Sequence, residues 1–148
     1  MAHVKKQIRD TIKTTLTGLA TTGANAFDSR VYDLQASELP ALTIYPGSES
    51  VEYLTLNRGS RSKEHTFEIG IDAVATGTSG LADTLDLIEK EVVVALSADP
   101  TIGGLARDCF FVSSENIISG EGDKPSGIRR MVYQAVFVTL ETDPETAL

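Results

Sequence analysis

The chain has 148 residues, 41% of them hydrophobic and 23% charged, the balance of a folded domain and not of a disordered chain. Acidic residues outnumber basic ones 21 to 13, and the formal net charge of -8 works against general attraction to a phosphate backbone. Cys109 is the only cysteine, which excludes an intramolecular disulfide and a thiolate metal cluster within one chain and points to a reducing compartment. The length is that of one domain spanning residues 1–148. Met1 to Asp10 lacks the apolar core of a signal peptide. No uncharged apolar stretch reaches the roughly eighteen residues a bilayer span requires, so neither a secretory leader nor a membrane partner is expected.

In chain order, Val4, Ile8, Ile12, Leu16 and Leu19 recur mostly at four-residue spacing, while Lys5, Lys6, Arg9, Asp10 and Lys13 take other faces. This pattern predicts an amphipathic helix, ended by the glycines and threonines between Gly18 and Gly23. An extended segment is expected at 27–34. Pro40 leads into Ala41–Tyr45, a short strand closed by Pro46-Gly47. Ser50–Leu56 and Thr66–Val74 alternate apolar and polar residues and read as half-buried strands. Asn57–His65, NRGSRSKEH, joins them as a long hairpin with a positively charged tip.

Ser79 offers the amino cap of a second helix, whose stripe Leu81, Leu85, Ile88, Val92 and Leu96 stops at Asp99-Pro100. Strands are expected at Asp108–Ile118 and Arg129–Leu140, around the polar loop Ser119–Gly127. The last strand is apolar on both faces, with Tyr133, Ala135 and Phe137 on one and Val132, Val136, Val138 and Leu140 on the other, as in a central strand. The tail Asp143–Leu148 is expected to be exposed or ordered by a partner. The sum is an α+β fold: a mostly antiparallel or mixed sheet with two α-helices packed on one face, long hairpin loops, and the other sheet face open for association.

Little in this sequence resembles reactive chemistry. His3 and His65 form no paired-ligand motif. Cys109 stands beside Phe110, Phe111 and Val112, the setting of a buried, inert thiol. SGEGDKPSG lacks the Gly-Lys-Ser/Thr run into a helix that a phosphate loop needs. Asp83, Asp86, Glu89 and Glu91 lie off the apolar stripe and read as a solvated helix face. No catalytic, cofactor-binding or metal residue is assigned, and the chain reads as a structural or interaction protein and not an enzyme. The rival is a small enzyme whose site forms only between subunits, using His65 and a neighbour's carboxylates. Arg58, Arg61 and Lys63 lack interleaved aromatics, so the cluster suits an acidic protein surface or solvation better than nucleic acid. With Val51, Tyr53 and Leu54, which lead toward the hairpin tip, they form the candidate interface with a second subunit or a partner.

The opening VKKQIRDTIKTTLTGLATTGANAFDSRVYDLQASELPALTIYPGSESVEY, with the later ADTLDLIEKEVVVALSADPTIGGLA and two strands after it, resembles tail terminator proteins of long-tailed bacteriophages, also called minor tail or tail-completion proteins. The likeness lies in the order of phrases and covers nearly the whole chain. It implies a virion protein, made in the host cytoplasm, that forms a homohexameric ring on the head-proximal end of the tail tube. Such a ring stops tube polymerisation and provides the head-joining surface. Its partners would be further copies of itself, the tail tube protein and a head-neck connector protein, with DNA passing through the ring without specific binding. Neighbouring readings are another neck or tail component, such as a head-tail connector or tube subunit, or an interaction module unrelated to phage.

Overall fold

Helix α1 (Val4–Leu16) forms where the four-residue spacing predicts it and buries Val4, Ile8, Ile12 and Leu16 completely. The computed structural model describes residues 2–28, 38–56, 59–77, 80–119 and 126–148, the last two positions before the 120–125 gap by backbone only. His3 caps α1, its Nδ1 accepting the Lys5 N–H at 3.1 Å, and Lys13 in the last turn complements the negative end of the helix dipole. The chain then turns into β1 (Ala26–Asp28), the described part of the expected extended segment; residues 29–34 lie outside the described residues.

β1 pairs in parallel with Leu42–Ile44 of β2 (Ala41–Tyr53). The sequence suggested two strands here, separated by a turn at Pro46-Gly47. The structure has one long strand with a bulge between Pro46 and Glu49. Proline lacks an N–H, but β1 covers β2 only as far as Ile44, so among the described residues Pro46 sits where β2 has become an edge. Gly47 fits the bulge closely: a Cβ there would lie 3.1 Å from the Glu68 carbonyl oxygen and side chain.

β3 (Ser62–Thr76) pairs antiparallel with β2, α2 (Leu81–Ser97) follows, and β4 (Asp108–Ser119) and β5 (Ser126–Leu140) complete the sheet. Gly80 holds the cap position of α2; Ser79 lies outside the described residues, as does most of the loop predicted at Ser119–Gly127. The order is β1-β2-β3-β5-β4, a mixed sheet in which, among the described residues, only the β1–β2 pair is parallel. β5 is paired on both sides, as its two apolar faces suggest.

Both helices lie on the face formed by Phe67, Ile69, Ile71 and Ala73 of β3 and Met131, Tyr133, Ala135 and Phe137 of β5. α1 packs over β1 and β2, and α2 over β3 and β5. With Leu85, Ile88, Val92 and Leu96 from α2, these side chains form one apolar cluster. Arg129, almost fully buried, ties α2 to the sheet by donating to Asp86 at 2.7 Å, Glu89 at 2.9 Å and the side-chain oxygen of Asn116. On the opposite face Tyr45 lies across Gly70, its partner on β3, and donates to Asp72 at 2.9 Å; Asp72 also accepts two bonds from Arg130 at 3.2 Å.

The carboxyl-terminal tail is largely exposed, one of the two expected outcomes, and it is also held by the chain itself. It returns along α1: Val4 N–H donates to the Pro144 carbonyl at 3.0 Å, Gln7 donates to that of Glu145 at 2.7 Å, and Leu148 N–H donates to that of Val138 at 2.8 Å. The first of these satisfies an orphan N–H at the start of the helix, and together they hold the tail against the chain's own surface.

Candidate interface on the β2–β3 hairpin

Strands β2 and β3 run past the first turn of α1, whose Lys5 pairs with Glu49 at 3.1 Å and stands 5.8 Å from the Phe67 ring centre. Beyond that point the helix layer gives no cover. Val51 and Tyr53 face the helix side by register, opposite His65 and Lys63, yet they are 43% and 44% exposed. Leu54 is 49% exposed and Leu56, which sequence reasoning missed, is 89% exposed. The signal for Leu56 was the pair Leu54 and Leu56, two apolar residues out of phase with Val51 and Tyr53 and past the end of β2, where no core receives them.

Of the predicted cluster, Arg61 and Lys63 lie on this hairpin, while Arg58 lies outside the described residues. The connection is shifted from the predicted Asn57–His65: β2 ends at Tyr53 and not at Leu56, and β3 already begins at Ser62, so Lys63 and His65 are strand residues and not part of the tip. Arg61 donates two bonds to Glu141, each 3.0 Å, and its guanidinium lies 4.6 Å from the Tyr53 ring centre. Those hydrogen bonds raise the guanidinium's pKa and hold the Glu141 carboxyl below the usual carboxylate range. Ser60 and Thr142 share a 2.7 Å hydrogen bond beside them. The base of the tip is therefore braced by the turn after β5, which presents Tyr53 and Leu54 on a fixed support.

His65 is not at the foot of a loop. It is buried, stacked on Phe137 with ring centres 4.4 Å apart, and both ring nitrogens are engaged, Nε2 with Thr139 at 2.9 Å and Nδ1 with Glu49 at 3.3 Å. Burial alone would raise the Glu49 carboxyl, but hydrogen bonds from Lys5 and His65 hold it below its ordinary value. The imidazole of His3 is lowered, first by burial and then by neighbouring Lys5. Among the described residues no group of three or more His, Cys, Asp or Glu gathers as a metal site would, and no helix is long and apolar enough to cross a membrane.

Cys109 packs at the margin of the core, and burial, followed by the charge of Asp108, pushes its thiol up to about 12. Its neighbours contradict the expectation of an apolar interior: Phe110, Phe111 and Val112 are 41%, 40% and 46% exposed. Among the described residues β4 lies at one edge of the sheet, and a bulge between Phe111 and Ser113 leaves Val112 without a cross-strand partner.

No family model matches the chain, and a search of curated proteins gives no match. Among solved structures, a chain described as "Virion of native gene transfer agent (GTA) particle" is similar at 14% identity and a TM-score of 0.37, with 90% of each chain covered.

Proposed function

We propose that this chain is a structural virion protein of a long-tailed phage that caps the head-proximal end of the tail tube as a ring, stops tube growth and presents the head-joining surface. The observation that carries this reading is the β2–β3 hairpin, which holds Val51, Tyr53, Leu54 and Leu56 in water beside Arg61 and Lys63. Four exposed large apolar side chains within six residues of one projecting hairpin mark a surface suited to a partner. The sequence resemblance supplies the identity of that partner: further copies of the chain and the tail tube. The role is geometric and not catalytic, because a ring that matches the last tube layer on one face and offers no equivalent site on the other ends polymerisation by shape. The excess of acidic residues suits a ring through which DNA slides without being held.

The subunit-interface enzyme draws no support from His65, whose two ring nitrogens are already engaged within the chain. The test is the solution mass of the purified chain across concentration, with negative-stain images, alone and with growing tail tubes. A closed ring that halts tube growth is the expected result. Open-ended tubes formed by the chain itself would make it a tube subunit, and a monomer indifferent to tubes would make it an interaction module of another kind.

A further inference from the structure

The projecting part of the β2–β3 hairpin has two faces of opposite charge. Residues directly opposite one another in an antiparallel pair point to the same side of the sheet. On the helix side stand Val51 with His65 and Tyr53 with Lys63, and on the outer side stands Glu52 with Glu64. Val51 and Tyr53 are more than two-fifths exposed, at 43% and 44%, so the helix side of the hairpin is an open shelf beyond the first turn of α1.

The cations around this shelf differ in what they hold. Lys5 is paired with Glu49 at 3.1 Å and Arg61 with Glu141 at 3.0 Å. Among the described residues Lys63 enters no ion pair. The carboxylate that feels its charge, Glu141, is engaged by Arg61 through both oxygens. The field of Lys63 also reaches His3 at the start of α1. That imidazole is lowered first by burial, and Lys5 and Lys63 push the same way while Glu49 opposes them.

We propose that this helix-side shelf binds a segment of a partner protein that brings apolar side chains to Val51 and Tyr53 and a carboxylate to Lys63. The inference rests on the reading of the hairpin as the interface and names the chemistry of what covers it. Charge complementarity selects the occupant: an acidic group gains an ion pair with Lys63 at an apolar margin, whereas a basic one meets like charge. The outer side repels the same segment, because Glu52 and Glu64 already stand there as adjacent like charges. A phosphate backbone needs several free cations in a row, and here Arg61 is neutralised by Glu141.

The test follows side-chain NMR signals of the isotope-labelled full chain as three probes are added: a short peptide of leucine and glutamate, its leucine and lysine counterpart, and an oligothymidylate. The acidic peptide should move the Val51 methyls and the Tyr53 ring and leave Val132 and Val136, on the outer face opposite Gly70 and Thr66, unmoved. Lys63→Glu should weaken that binding at least about fivefold at low salt, and Glu52→Lys should leave it within about twofold. Lys63→Gln, which removes only the charge, should weaken it by a smaller factor, with dispersed spectra verifying that each variant folds. Equal binding of the lysine peptide, or shifts at Val132 and Val136 instead, would overturn the assignment of charge and face. Oligothymidylate moving the same signals would make the shelf a nucleic-acid site, and movement with chain concentration alone would make a second copy the occupant; either result overturns the proposal. If no probe moves Val51 or Tyr53, the acidic partner is wrong, and solution mass with tail tubes still decides the ring reading. A chain that forms no ring but binds the acidic peptide on the shelf keeps this site and loses that reading.

Discussion

Replacing Gly70 by alanine tests the packing of the outer sheet face. A Cβ at this position would lie 2.2 Å from Cζ, 2.3 Å from Cε2 and 2.6 Å from the hydroxyl oxygen of Tyr45, so the ring must swing off the strand. In doing so it leaves the 2.9 Å hydrogen bond to Asp72 and its place 6.0 Å from the Arg130 guanidinium. A hydrogen bond to a charged group contributes about 1.5–3 kcal/mol, and partial exposure brings this toward the lower end. Alanine in a strand returns about 0.5–1 kcal/mol relative to glycine. The net expectation is a destabilisation of about 1 kcal/mol. With Tyr45→Ala already present nothing opposes the new methyl, and Gly70→Ala should be neutral or stabilising. Urea unfolding of the four proteins in the cycle measures the coupling, expected at about 1.5 kcal/mol. Equal effects of Gly70→Ala in both backgrounds would refute the account, since the methyl would then be meeting something other than the ring.

Three other outcomes follow from the same structure. Arg129→Met should cost about 2 kcal/mol, less than for a fully buried pair because Asp86 can be rehydrated, and lower the melting temperature by about 4–8 °C in calorimetry. His3 has a lowered folded-state pKa, so its contribution is complete above the ordinary histidine value and is lost as pH falls below it. His3→Asn, which caps without titrating, should therefore flatten the pH dependence of stability between about pH 7 and 5 by a fraction of the roughly 1 kcal/mol of a cap. Glu49, also lowered, acts in a separate window and should cost stability only as pH falls below the ordinary carboxylate range. With its thiol pushed up to about 12, Cys109 should react with a disulfide reagent at pH 8 at least about a hundredfold more slowly in the folded chain than in denaturant.

The helices and the helix-bearing face were legible in the sequence because their signal is local. Val4, Ile8, Ile12 and Leu16 repeat at helical spacing, and Tyr133, Ala135 and Phe137 alternate, so periodicity alone assigns them inward. What periodicity could not give is which strand lies at the edge. Phe110-Phe111-Val112 reads as interior because three consecutive apolar residues usually belong to a doubly covered strand. Its exposure follows from sheet order: β5, arriving later in the chain, takes the inner position and leaves β4 outside. Pro46-Gly47 was misread for the same reason. A proline-glycine pair ends a strand where ladder bonds are needed on both sides, but becomes a bulge where one side is free. The tail is largely exposed as its composition suggests, but its anchoring by the Val4 N–H to the Pro144 carbonyl is a backbone bond that composition does not encode.

The outer sheet face also bears on where association occurs, since composition suggested that this whole face would be available. Its centre instead holds the Tyr45, Asp72 and Arg130 network, with Glu64 and Glu68 on β3 and Gln134 on β5. Glu52 and Glu64 stand opposite one another across the β2–β3 pair, two like charges that water screens now. Stacking a second sheet on this face would strip that water from an ion pair and from two adjacent carboxylates, a desolvation cost that the scattered valines between them would have to offset. Among the described residues, most exposed large apolar side chains lie elsewhere, on the hairpin and the outer side of α2, while Phe110 and Ile117 stand at the rim of this face, opposite Gln134 and Ile128 of β5. The polar centre of this face therefore disfavours face-to-face stacking, and a partner is better accommodated where apolar side chains already stand in water, as at Tyr53, Leu54 and Leu56 of the hairpin.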